Sequence, residues 1–141
     1  AKVHPFRLYL AWYGYGQGYN RNMTWSVNDR ILAALETCLY ASFANVTVAG
    51  KVCIGSDISG SMWWDDSRIN RTGPYAGDAA GMLAATFKAA NPETDVFYFA
   101  GQLAPAAFDP MSLKSVNIDM HKVCCSRRLF ATRSSTMRSS F

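Results

Sequence analysis

The stretch Lys51-Val52-Cys53-Ile54-Gly55-Ser56-Asp57-Ile58-Ser59-Gly60-Ser61-Met62 decides the fold. Its first seven residues form a short, mostly apolar run opened by Gly50, which reads as a buried strand. From Asp57 onward the chain turns small and hydroxylated, with Asp57, Ser59 and Ser61 spaced D-x-S-x-S. In an open α/β sheet ligands bind beyond the carboxyl ends of the strands. A carboxylate and two hydroxyls placed there offer hard oxygen ligands suited to a divalent cation, Mg²⁺, Mn²⁺ or Ca²⁺. Hydroxyls hold such an ion weakly, so coordination positions would stay open for an acidic or phosphate ligand. The plainer reading of the same residues is a Ser-Gly turn with Asp57 ending the strand.

Toward the C-terminus a polar loop runs from Trp63 to Tyr75, punctuated by Gly73-Pro74. Gly77 to Ala90 predicts a helix of small residues closed by Asn91-Pro92, and Asp95 to Ala100 a second strand. Strand, loop, helix and strand together predict a βαβ unit and a parallel sheet, hence an α/β fold. Trp63-Trp64 beside Asp65-Asp66 either closes a core edge or stacks on a base or an Arg plane.

Toward the N-terminus, Pro5 suits the first turn of a helix that runs to the glycines Gly14, Gly16 and Gly18. Ser26 is the expected N-cap of a second helix, whose apolar set Val27, Ile31, Ala34, Leu35, Cys38, Leu39 and Phe43 recurs at spacings of three and four. Trp12 and Trp25 are expected in the core. So are Cys38 and Cys53, as small hydrophobes. Cys124 and Cys125 are adjacent, poor geometry for a disulfide, and His121-x-x-Cys124-Cys125 lacks the second cluster that a zinc site requires. This cysteine usage fits a reducing, cytoplasmic compartment.

The chain has 141 residues, 50% of them apolar and 17% charged, a globular composition of about one domain. No apolar run approaches the length of a membrane span. The opening Ala1-Lys2-Val3-His4-Pro5 reads as the interior of a longer chain. The net charge of +4 is uneven. Residues 114–141 carry six basic groups against Asp119, whereas residues 1–113 carry eight basic and nine acidic groups. A basic, Ser- and Arg-rich end predicts contact with nucleic acid or another anionic surface, or simply a solvated, unordered tail. Candidate RNA contacts are Arg127, Arg128 and Arg133 in that tail and Arg21 in the glycine loop.

Catalytic patterns are absent from the text. Ser59 is flanked by Asp57 and Ser61 where a nucleophile elbow needs glycines, no Gly-Lys-[Ser/Thr] follows a glycine-rich turn, and only His4 and His121 offer an imidazole base. The expectation is a protein that binds and does not catalyse.

Taken together, the chain resembles the Ro autoantigen family, the TROVE-module RNA-binding proteins. The matching text is Val3-His4-Pro5-Phe6, then Tyr13, Gly16, Gly18 and Trp25, then Ile31-Leu32-x-Ala34-Leu35 with Leu39-Tyr40-x-x-Phe43. Gly50-Lys51 leads into the strand, and Asp57-Ile58-Ser59-Gly60-Ser61-Met62 looks like the metal-ion-dependent adhesion site (MIDAS) of a von Willebrand A-type domain. The resemblance implies that residues 1–48 hold the final helices of a helical-repeat ring. Residues 49–113 would open a partial A-type domain, and residues 114–141 form the basic tail. It implies binding of small noncoding or misfolded RNA as a ribonucleoprotein component, by backbone and shape recognition. Asp57, Ser59 and Ser61 would be its metal positions. The later Thr and Asp of the family's full site are not found, so the cation site is partial. The alternative function is a protein–protein adhesion module in which a partner's carboxylate completes the coordination of Mg²⁺.

Overall fold

The computed structural model describes residues 2–136, with side chains up to Cys124. Helix α1 spans Pro5–Gly16 and α2 spans Asp29–Ser42, followed by one 3₁₀ turn, Phe43–Asn45. Strand β1 (Cys53–Asp57) leads through three short 3₁₀ turns into α3 (Ala76–Ala90) and then β2 (Asp95–Phe99). A short β3 (Leu103–Pro105) and the long α4 (Leu113–Thr136) follow. The fold is α/β, as expected, and none of the described helices is long and apolar enough to cross a membrane.

The helix starts follow from local chemistry. Pro5 takes the first helical position of α1, where a missing N–H costs nothing, and His4 Nδ1 accepts the N–H of Phe6 at 3.1 Å. For α2 the expected cap at Ser26 gives way to Asn28, whose Oδ1 accepts from the Arg30 N–H at 3.0 Å. Two long-range bonds explain the shift. Trp25 N–H donates to Gly18 O and Asn28 N–H donates to the Tyr15 hydroxyl, so the chain stays extended past Ser26. Gly18, at φ +72°, makes the turn that allows this return.

β1 and β2 pair in parallel across the α3 crossover, from Cys53 opposite Asp95 to Asp57 opposite Phe99. The sheet is not wholly parallel. After a turn at Gly101 (φ +80°), β3 returns antiparallel to β2, pairing Phe99 with Leu103 and Phe97 with Pro105. A proline at the end of a three-residue edge strand is permitted because no further neighbour needs its N–H. The order is β1-β2-β3.

Two clusters make the core. The first joins Tyr9 of α1, Leu39 of α2 and Phe43 to Ala79 and Met82 of α3 and Leu113 of α4. The second joins Ile58, Ala85 of α3 and Tyr98 of β2 to Val116 and Met120 of α4. α3 and α4 therefore serve both, and their approach is close: a Cβ on Gly81 would meet Met120 Sδ at 2.8 Å and Val116 Cγ1 at 3.0 Å.

Three expectations change here. The basic segment, for which an unordered tail is one of two readings, carries α4 as far as Thr136, because Leu113, Val116 and Met120 give it a buried stripe at helical spacing. Cys38 and Cys53, expected in the core, are exposed. α2 buries Leu39 and half-buries Leu35 and Tyr40, leaving Ile31 (49% exposed), Ala34 and Cys38 outside. Along β1, Cys53 and Gly55 alternate with the more covered Ile54 and Ser56, so they share the face turned away from α3.

Candidate functional site

β1 delivers the D-x-S-x-S residues to one turn. Beyond the strand's end the Ile58 N–H still donates to Phe99 O, and the Ile58 side chain is buried, which anchors the turn on the sheet. Asp57 Oδ1 accepts the Ser59 N–H at 2.7 Å. The hydroxyls of Ser59 and Ser61 lie 3.2 Å apart as the chain enters the 3₁₀ turn Gly60–Trp63. The structure thus brings Asp57, Ser59 and Ser61 together, with Ser59 half-buried and Ser61 exposed. As a donor set for a divalent cation they supply one carboxylate, already engaged by its own turn, and two neutral hydroxyls. Six or more oxygens are usual for such ions. Among the described residues no cluster of three His, Cys, Asp or Glu adds to them. The set fits a weak, open site.

Trp63 closes this turn against α3 and α4. Its ring lies against Gly77, where a Cβ would come within 2.6 Å of the indole, and 4.9 Å from the His121 ring. Trp64, by contrast, is 65% exposed. Of the tryptophans expected inside, Trp12 stacks on Tyr9 and Trp25 on Tyr15, and both are half-buried. Asp78 lies close to His121 and Arg68. Its burial raises the carboxyl pKa, and His121, Arg68 and the backbone at Tyr75 pull it back only in part.

Arg21 stands elsewhere, on the exposed loop between α1 and α2. That loop is built by Asn20, whose Oδ1 accepts from the N–H groups of Asn22 and Met23, and by a bridge between Tyr19 and Thr24. Arg127, Arg128 and Arg133 fall on the last turns of α4, and their side chains lie outside the described residues.

Sequence reasoning did not find a groove of about 650 Å³ between the N-terminal helices and α4. Trp12 comes from α1, Glu36 from α2, and Lys114, Asn117, Ile118 and Lys122 from α4. Glu36 is held by the Tyr40 hydroxyl, which donates to Oε1 at 3.0 Å and itself accepts the Leu113 N–H at 3.0 Å. Burial raises the Tyr40 pKa and the Glu36 carboxylate adds to the rise, while the bond from the Leu113 N–H works against it. The signal available in the sequence was the helical spacing of Lys114, Ile118 and Lys122. A second cavity of about 370 Å³ lies beside the glycine loop, lined by Tyr13, Tyr15, Tyr19, Trp25 and Asn70.

No family model matches the chain. Over 65 residues, 44% of its length, it is 38% identical to the RNA-binding protein RO60 of Caenorhabditis elegans. The match covers 10% of that protein, so the chain corresponds to a small part of the relative's length. A Ro-like relationship is supported over that stretch.

Proposed function

We propose that the chain is an RNA-binding protein of the Ro type, or a piece of one, that contacts small noncoding or misfolded RNA as a ribonucleoprotein component. The observation that carries this reading is the 38% identity to a protein named for RNA binding. The net charge of +4, concentrated beyond residue 113, supports it. The mechanism is electrostatic: lysines and arginines replace the counterions condensed on phosphates, and the released ions drive association. No bond is made or broken. Asp57, Ser59 and Ser61 would hold a divalent cation such as Mg²⁺, which supplies positive charge for an acidic ligand. That is also the basis of the second reading, an A-type adhesion module, favoured by the convergence of the three oxygen side chains in one turn.

The test is a titration of the purified chain with a structured RNA bearing a single-stranded 3′ end, at two salt concentrations, with and without Mg²⁺. The RNA reading expects affinity that falls steeply with salt and persists without Mg²⁺. Salt-independent binding would remove its electrostatic basis. A folded, monodisperse chain that ignores RNA would favour the adhesion module.

A further inference from the structure

The groove between α1, α2 and α4 is a built feature with a consistent chemistry. Lys114, Ile118 and Lys122 stand at positions i, i+4 and i+8 of α4, one side of a helix whose other side buries Leu113, Val116 and Met120. Two ammonium groups therefore flank an apolar side chain, Ile118, that is 45% exposed. Both lysines are exposed, and among the described residues neither forms a salt bridge. Lys114 lies in the first turn of α4, where the helix dipole is already positive and no acidic residue offsets it. A cation at that position costs the helix stability and gives the groove an uncompensated positive end.

The opposite wall has different chemistry. Trp12 offers aromatic surface, and its buried indole N–H has no partner among the described residues. Glu36 offers a carboxylate fixed through Tyr40 to the start of α4. A ligand that suits both walls carries negative charge for the lysines, a flat apolar body for Trp12 and Ile118, and a hydrogen-bond donor for Glu36. An acidic peptide meets the first requirement and is repelled by Glu36. A nucleotide whose base bears an exocyclic amino group meets all three. The volume of about 650 Å³ lies within the usual range of small-ligand sites.

We infer that this groove binds one segment of single-stranded RNA, with a base against Trp12, its amino group donating to Glu36 and the flanking phosphates on Lys114 and Lys122. Cytosine is the sharpest case, since carboxylates accept from its N4 amino group whereas uracil presents an oxygen there. The inference rests on the RNA-binding reading and assigns it a place on the chain that Asp57, Ser59 and Ser61 do not provide.

The experiment is fluorescence anisotropy with a short labelled oligocytidylate, its oligouridylate counterpart, a blunt RNA hairpin and a polyglutamate peptide. Each is titrated into the whole chain and into the double variant Lys114→Ala/Lys122→Ala between about 50 and 200 mM salt. Both lysines are exposed, and circular dichroism checks that the variant keeps its helices. The expected result is preference for oligocytidylate over oligouridylate. The double variant should bind oligocytidylate about tenfold more weakly, and its log–log salt slope should be shallower by about 1.4, two single-strand phosphate contacts' worth. Unchanged affinity and slope in the variant would overturn the groove assignment and leave RNA binding intact. Hairpin binding without oligonucleotide binding would do the same. Polyglutamate binding as strong as that of oligocytidylate would overturn the nucleotide in favour of an acidic peptide. A chain that binds neither hairpin nor oligonucleotide would overturn the RNA reading itself, and this inference with it.

Discussion

Asp78 shows how one side chain can be held against its own preference. It stands in the first turn of α3, where the helix dipole favours a negative charge, yet burial raises its pKa while His121 and Arg68 draw it down. Its charge is also felt by the buried Tyr9, whose hydroxyl pKa is raised by burial and then by Asp78. A carboxyl whose folded pKa exceeds the unfolded value binds its proton more tightly in the native state. The ionised form therefore costs stability at neutral pH, and that cost is relieved as pH falls through the folded pKa. Asp78→Asn, a neutral stand-in for the acid, should unfold at higher urea than the parent at pH 7. The gap should narrow as pH falls into the carboxylate range. Parallel urea curves at neutral and acid pH measure it, and a gap that widens on acidification would contradict the assignment.

At the scale of elements, α4 is the piece that the residue text conceals. Among the described residues, Leu113, Val116 and Met120 mark its buried side, and they are diluted among Lys114, Ser115, Asn117, Asp119 and Lys122, so the segment reads as solvated charge. β1, α3 and β2 are legible because each is rich in apolar or small residues and lies between clear breakers. The D-x-S-x-S turn is legible because three chemically specific residues are close in sequence. The groove is not, since its walls come from residues 12, 36 and 113–122, and no local pattern joins them. Asp119 has the same kind of hidden role. Its Oδ2 accepts the Tyr98 hydroxyl at 3.0 Å and the Ala107 N–H at 2.8 Å, tying α4 to the sheet and to the loop after β3. Tyr98 is fully buried, and burial with the Asp119 charge raises its pKa. Asp119→Ala strands that hydroxyl, and hydrogen bonds to a charged group contribute about 1.5–3 kcal/mol. The variant should lose about that much in urea denaturation. Adding Tyr98→Phe should return part of the loss, because the stranded hydroxyl is then gone. No recovery in the double variant would show that the Asp119 contact to Ala107 carries the effect.

For the whole molecule, the position of α4 changes how the basic end can be tested. Removing residues 114–141 looks, from charge alone, like a clean way to subtract an RNA-binding tail. In the structure it also withdraws Val116 and Met120 from the cluster around Tyr98 and cuts α4 immediately after Leu113, its member of the cluster around Tyr9. Each of Val116 and Met120 contributes about 1.5–3 kcal/mol when fully buried, and the two together contribute roughly 3–6 kcal/mol. Domains of this size are stable by only about 5–15 kcal/mol, so the deletion removes a large part of what holds the fold. A chain ending at residue 113 should lose its near-ultraviolet circular dichroism and its cooperative thermal transition, and any RNA binding should fall with the fold. Lys114→Ala/Lys122→Ala should keep both signals while losing charge, because those side chains stand on the exposed side of the same helix. The two manipulations separate the roles that the sequence superimposes on one segment. A truncated chain that melts cooperatively with near-ultraviolet signals intact would show that α1, α2 and the βαβ unit form a complete core without α4.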